Sequence, residues 1–404
     1  MSRSARTLGR VVAALLGVVG GAAIVLALYA GPDTTDPPIQ TEPVTKPDLE
    51  IKTKTPVEVR DRVLLAWSPG GMPVNSERVV EGLPGVRHAT TVVGGLDWMK
   101  RSRTEDGTLI DAPKDGLAIP IEMAVVEPRE YASFVPAADQ DAILRMAPGQ
   151  AVLAETESQL RRHGAGLQMS LLTGNIVASA VISDEATNGY EALITGPVPG
   201  HWRTRDRFVL MKLTSKANRG VIERRIREKL VPGRALRVRA NGEVPFLRFG
   251  DAVLPQMTIK ATFGEFAARP LSDGRIDIEE RWYRNNIRSA SVPVLGRVTC
   301  HRAVLPQLRA AMLEIRQSGL AYLVNRNNFG GCYSPRFVNS VPMTRLSHHS
   351  WGIALDINVA ENAYGTRPDQ DPRLVDLLEN EWGFTWGGRW QIPDGMHFEW
   401  VRFP

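Results

Sequence analysis

The sequence predicts an α+β protein built in successive regions. Three observations predict it. The order strand, helix, strand occurs twice between residues 61 and 270. Two amphipathic helices and two short strands of alternating polarity follow between 271 and 404, and a charge-free run stands near the N-terminus. With 404 residues the chain can bury more than one hydrophobic core. Lys and Arg total 49 against 44 Asp and Glu. So mild an excess suits an anionic surface and equally a plain arginine-rich composition, and it gives no ground for a nucleic-acid partner. Neither CxxC nor a Cys/His finger spacing occurs, so cysteine chemistry is not the main theme.

Residues 1–10 form a basic tail with Arg3, Arg6 and Arg10, and VVAALLGVVGGAAIVLALYA follows as residues 11–30. At 1.5 Å per residue this run reaches about 30 Å, the thickness of a hydrocarbon core. It is expected to be a transmembrane anchor, with its basic flank in the cytoplasm and the rest of the chain outside the cell membrane. A cleaved signal peptide is the alternative. Such peptides have a shorter apolar stretch and a small residue three before the cut, where Leu28 stands relative to Ala30. Residues 31–60, rich in Pro, Thr and charge, cannot bury a core and read as an extended linker.

The region 61–270 opens with RVLLAW as a strand, SERVVEGL as a helix with Val79, Val80 and Leu83 at helical spacing, and PGVRHATTVV as a strand. RFVLMKL, VIERRIREKL with Ile222, Ile226 and Leu230 on one face, and PGRALRVRA repeat that order. The shared punctuation EGLPGVR and EKLVPGR marks a weak internal repeat of β-α-β units. Arg224, Arg225, Arg227 and Lys229 read as a solvated helix face. No catalytic constellation is expected here. The layout, including AVLAETESQLRRHGAGLQMSL, resembles extracellular domains of bacterial ABC-transporter permeases of the lipoprotein-release type. That resemblance implies a membrane-protein partner for this region.

Residues 271–404 carry the chemistry. RAVLPQLRAAMLEIRQSGL sets Val304, Leu308, Met312 and Ile315 on one stripe, with Pro306 in the first turn and Gly319 as a stop, so a helix is expected at about 302–318. RLVDLLENEWGF repeats the pattern with Leu374, Leu377, Leu378 and Trp382. At period two, GIALDIN puts Ile353, Leu355 and Ile357 on one face and Gly352, Ala354, Asp356 and Asn358 on the other. MHFEW sets His397 and Glu399 against Met396, Phe398 and Trp400. The whole run SHHSWGIALDIN, residues 347–358, reads as an apolar strand that carries His348 and His349, and if it pairs with MHFEW with those faces aligned, His349, Asp356 and His397 converge. Two imidazoles and a carboxylate leave a fourth position open, as in a catalytic zinc site. Gly352 and Ala354 are then expected to leave room for metal and substrate.

The pattern S-x-H-x-x-G-x-A-x-D stands as Ser347, His349, Gly352, Ala354 and Asp356, and D-x-x-H-F-E as Asp394, His397 and Glu399. Over about residues 295–404 the chain resembles the zinc D-alanyl-D-alanine carboxypeptidases. That family also includes L-alanyl-D-glutamate endopeptidases and has a fold relative in the hedgehog signalling domain. The resemblance implies one zinc ion held by His349, Asp356 and His397, with Asp394 as general base. It implies an arginine on the substrate, Arg336 in GGCYSPRFV or else Arg345, with Ser347 holding substrate, Glu399 orienting a ligating histidine and His348 turned off the metal. It makes the chain a membrane-anchored hydrolase of amide bonds in peptidoglycan stem peptides, either a carboxypeptidase or an endopeptidase. The alternatives are a zinc-containing wall-binding or regulatory module, or a subunit of a membrane complex. Trp351, Trp382, Trp386, Trp390 and Trp400 either line a peptide groove or pack in the core, and WGGRW is expected as a turn near the cleft. Cys300 and Cys332, outside the cytoplasm in this topology, either close a loop or remain separate thiols.

Overall fold

Apolar and aromatic residues in VLLAW and RFVLMKL build strands of one large sheet. The computed structural model describes residues 63–202, 206–243, 246–252 and 254–404. The expected anchor at 11–30 and linker at 31–60 lie outside the described residues, among which no helix is long and apolar enough to cross a membrane. In chain order the large sheet takes β1 (Val63–Trp67), β2 (Val86–Arg103), β3 (Leu109–Asp111), β4 (Ile119–Val125) and β5 (Gln150–Ala154). It continues with β6 (Gln168–Leu171), β7 (Asn175–Ile182), β8 (Ala192–Ile194), β9 (Arg207–Leu213) and β10 (Arg237–Ala240). Their spatial order is β10-β1-β9-β2-β4-β8-β5-β7-β6, with β3 on β2.

The two β-α-β units interlock. Helix α1 (Ser76–Glu81) joins β1 to β2, yet β9 lies between those strands; α2 (Arg219–Leu230) joins β9 to β10, and β1 lies between them. Each crossover therefore leaves a one-strand gap that the other unit fills, with antiparallel pairing throughout. Val80 and Leu83 of the first unit pack with Ile222 and Ile226 of the second over Leu64, Ala66, Val209 and Met211. Val79 departs from the expected face and is exposed, because the short α1 presents a single apolar stripe.

After the large sheet, α3 (Gln256–Phe263) leads into the hairpin β11 (Ala268–Pro270) and β12 (Ile276–Ile278), then α4 (Glu280–Asn286) and the hairpin β13 (Ile287–Val292) and β14 (Gly296–His301). The expected helix at 302–318 is α5 (Leu305–Gln317), with Pro306 in its first turn; Val304, Leu308, Met312 and Ile315 are fully buried. A three-stranded antiparallel sheet, in the order β15-β17-β16, is formed by β15 (Ala354–Asp356), β16 (Phe384–Trp386) and β17 (His397–Trp400), with α6 (Pro372–Asp376) between the first two in sequence. Leu374 of α6 is buried, as is Leu378 in the turn that follows.

One core cluster joins these C-terminal elements to the large sheet. Leu96 and Trp98 of β2, Ala118, Leu254, and Ile259 and Phe263 of α3 pack with Trp351, Leu355, Phe398 and Trp400. Helix α3 works on two sides. Its Phe263 ring meets His301 and Trp400 at 4.9 and 4.7 Å, while its buried Lys260 pairs with Glu191 next to β8 at 2.5 Å and with Glu265 at 3.0 Å.

Cys300 on β14 and Cys332 are joined by a disulfide with Cα atoms 5.4 Å apart. The loop it closes, 32 residues in sequence separation, gives roughly 3 to 4 kcal/mol by the chain-entropy estimate. Paired Cys300→Ser and Cys332→Ser substitution should therefore lower unfolding stability by about that amount. Denaturant melts with and without reductant check it, since only the wild type should respond to the reductant.

Candidate metal centre

Three pieces of backbone bring the ligand-type side chains together. The stretch SHHSWGIALDIN is not one strand. His348–Ser350 form a 3-10 turn, and only Ala354–Asp356 pair as strand. His349 thus projects from a turn, which Ser347 starts by accepting a hydrogen bond at Oγ from the His349 N–H (3.4 Å). Gly352 does not make room for substrate. Its φ is +66°, and a Cβ there would stand 2.7 Å from the His301 backbone nitrogen, so glycine is required for the turn to close against β14. Ala354 is fully buried. The pairing of β15 with β17 sets Asp356 directly opposite His397 and Ala354 opposite Glu399.

His349 Nε2, His397 Nδ1 and Asp356 Oδ1 form a nearly equilateral triangle with sides of 3.3, 3.1 and 3.2 Å. His349 Nδ1 lies 2.8 Å from the Cys332 carbonyl oxygen, which can only accept, so Nδ1 carries the hydrogen and a neutral ring leaves Nε2 bare. His397 Nε2 lies 3.3 Å from Glu399 Oε2 and must likewise donate, which leaves Nδ1 bare. Three lone pairs therefore converge in a buried place, an arrangement stable only around a cation. Burial opposes charge on His397 and Asp356 alike. Even so, hydrogen bonds to Asp356 and Glu399 push His397 up to about 10, and the two imidazoles hold Asp356 far below the usual carboxylate range. A proton meets the need for charge at one edge; a metal meets it at all three corners. Tetrahedral coordination at 2.0–2.1 Å requires ligand atoms about 3.3–3.4 Å apart. The residues fit a zinc-sized ion.

Glu399 holds two histidines in place, His397 and, from the pair HH, His348. It reaches His397 as above, and its Oε2 lies 2.7 Å from His348 Nδ1, so His348 is turned off the triangle. The Cys332 carbonyl was not legible as a partner, because a backbone oxygen leaves no trace in side-chain patterns. Arg336 Nη2 stands 3.8 Å from Asp356 Oδ2, and the Arg336 backbone is tied to Ser350 Oγ at 3.1 and 3.0 Å. The turn Gly387–Arg389 lies within WGGRW, and the Trp390 ring sits 5.1 Å from the His397 ring. Trp351 and Trp400 are core residues by burial.

Asp394 lines the same cavity, of about 270 Å³, as His349, His397, Arg336 and Ser347. Its carbonyl accepts from the His397 N–H at 3.1 Å, which fixes the three-residue step between them. The carboxyl is pushed up to about 6 by burial; Asp356 and Glu399 add to that rise and His397 and Arg336 oppose it. Its Oδ1 is buried and has no hydrogen-bond partner among the described residues. A second acidic cluster, Glu157, Glu191 and Glu265, appears in the region where no constellation was expected. Lys260 and Arg161 occupy it as ion-pair partners, so it is a buried charge network.

No curated protein matches the chain. Among solved structures it is similar to the periplasmic region of MacB from Actinobacillus actinomycetemcomitans (10% identity, 41% of this chain and 81% of that one, TM-score 0.28). It is also similar to the extracellular domain of the noncanonic ABC-type transporter YknZ from Gram-positive bacteria (8% identity, 41% of this chain and 91% of that one, TM-score 0.27). Residues 342–400, the segment that holds His349, Asp356, Asp394 and His397, match the D-alanyl-D-alanine carboxypeptidase family.

Proposed function

We propose that this chain is a zinc peptidase hydrolysing an amide bond in the peptide stems of peptidoglycan. The observation that carries the reading is the convergence of three ligand atoms, two of them on histidines that line one cavity with Asp394. His349, Asp356 and His397 would hold the ion. Zinc, when bound, supplies a Lewis acid that acidifies a water and polarises the scissile carbonyl. Asp394, held near neutrality by burial, takes a proton from the attacking water and returns it to the leaving amine. Arg336 faces the cavity with a guanidinium that can stabilise negative charge developing on the carbonyl oxygen. Ser347, at the head of the ligating turn, lines the substrate space, and Glu399 fixes the His397 ring through its second nitrogen. A wall-binding module would need the triangle but not a raised carboxyl beside it, and so the hydrolytic reading is preferred.

The same reading places the protein outside the cytoplasm, tethered to the cell membrane by residues 11–30. The Cys300–Cys332 bridge supports an oxidising compartment, and peptidoglycan would be met there.

Metal analysis of purified protein should find one zinc per chain, and His349→Ala or Asp356→Ala should lose most of it. Mass spectrometry of muropeptides after digestion should show either loss of a terminal alanine or a cut within the stem. Intact muropeptides after incubation with zinc-loaded protein would overturn the reading.

Asp394→Ala should keep its zinc and lose hydrolysis by roughly 10²- to 10⁴-fold, the usual worth of a general base. The base must be ionised, so kcat should rise with pH through an acid limb. The limb should lie at or below about 6, because the metal's charge adds to the downward pull of His397 and Arg336. A pH profile of kcat that stays flat below 6 while Asp394→Ala is inactive would remove Asp394 from the proton transfer.

A further inference from the structure

The Cys300–Cys332 bridge ends at the residue whose carbonyl orients His349. The run GGCYSPR, residues 330–336, forms a strap along the two pieces of chain that carry His349 and Asp356. At its start it pairs with the ligating strand. The Gly330 N–H donates to the Asp356 carbonyl at 2.8 Å, and the Asp356 N–H donates to the Gly331 carbonyl at 3.1 Å. Glycine is needed for that approach, since a Cβ on Gly330 would stand 2.9 Å from the Asp356 Cβ. One residue past this pair, the Cys332 carbonyl accepts the His349 Nδ1 hydrogen at 2.8 Å, and the Ser334 N–H then donates to the His349 carbonyl at 3.0 Å. The strap thus fixes the backbone of one ligand, and both the backbone and the ring of another.

A carbonyl can orient an imidazole only if it is itself held still. A ligating ring aims its bare nitrogen where the hydrogen bond on its other nitrogen allows, and losing such an outer partner costs about 10- to 100-fold in metal affinity. Cys332 is held by β14. The Tyr333 N–H donates to the Thr299 carbonyl at 3.0 Å, and the next residue of β14, Cys300, is bonded covalently to Cys332. Both cysteines are buried. β14 is a firm reference, because it pairs with β13 along its whole length and its His301 N–H donates at 2.8 Å to the Gly352 carbonyl, just past the ligating turn. Without the bridge, the link from Cys332 to β14 rests on the Tyr333 peptide, and the bond to His349 Nδ1 loses its fixed end.

We propose that Cys300 and Cys332 are positioning residues of the metal centre: their disulfide clamps the carbonyl that orients His349, so metal affinity depends on the pair being oxidised. Opening the bridge takes two electrons and two protons, which a dithiol supplies as it closes to its own disulfide, and it leaves two thiols. The proposal rests on the zinc reading of the triangle.

The test is a zinc titration of full-length protein against a chelator of known affinity. Wild type is compared with the pair Cys300→Ser and Cys332→Ser, and with Ile222→Ala. Ile222 is buried in the separate core beneath α2, and its truncation costs stability of the same order as loss of the bridge. Sucrose in every sample favours the folded state, and circular dichroism checks it. The Ser pair should bind zinc about tenfold or more weakly, and Ile222→Ala as tightly as wild type. Wild type reduced by a dithiol and then freed of it should match the Ser pair, and reoxidation should restore its affinity. If the Ser pair does not fold, the reduced wild type decides alone. Equal zinc affinity with and without the bridge, or an equal loss in Ile222→Ala, would overturn the proposal and leave the zinc reading standing. A wild type that binds no zinc would remove that reading, and the proposal with it.

Discussion

The register of two short strands governs the site. Asp356 stands opposite His397 because β15 and β17 pair antiparallel with Leu355 against Phe398, both fully buried. Side chains alternate along a strand, so a slip of one residue would carry Asp356 away from His397 and expose two core residues at once. The apolar face therefore enforces the polar one. Burial of Leu355 and Phe398 holds in place an arrangement of lone pairs that would otherwise repel.

A second constraint joins this small sheet to the large one. Helix α3 buries Phe263 against Trp400 and sends Lys260 the other way, to Glu191 beside β8 of the large sheet and to Glu265 just past the helix end. Buried ion pairs lose much of their attraction to desolvation, so Lys260 is better understood as fixing geometry than as adding stability. Removing either partner would strand a charge in the interior. The consequence reaches the cleft, because the loop with Phe249 and Asp251 lies directly before α3 and can face Arg345 and Gln391 only while α3 keeps its place.

What could be read from the sequence was what repeats locally. Period two along MHFEW gave the face of His397, and period near 3.6 gave the stripe of α5 down to its proline and closing glycine. The two β-α-β segments were visible for the same reason. Their interlocking was not, since nothing in either segment encodes the strand that fills its gap. The apolar residues of SHHSWGIALDIN read as a strand that includes His349; the turn found there depends on Ser347 capping and on Gly352 meeting the β14 backbone, a contact some 50 residues away in sequence. Without that neighbour Gly352 reads as substrate space. The cavity wall made by Trp67 and Phe249 had no local signature at all, for it arises from packing between regions.

Two carboxylates beside the triangle of ligand atoms are driven in opposite directions although burial raises both. Asp356 lies among two imidazoles, and the charge and hydrogen bond of a ring that takes up a second proton overcome the cost of desolvation. Asp394 shares the burial without a hydrogen bond to Oδ1, and it feels the negative charge of Asp356 besides. One is thereby kept ionised, as the proposed ligand role requires, and the other is left able to gain and lose a proton near neutrality. The difference does not come from residue type, since both are aspartates, nor from exposure alone. It comes from which of them the β15–β17 register places against His397, and the assignment of roles follows from the same pairing that builds the triangle.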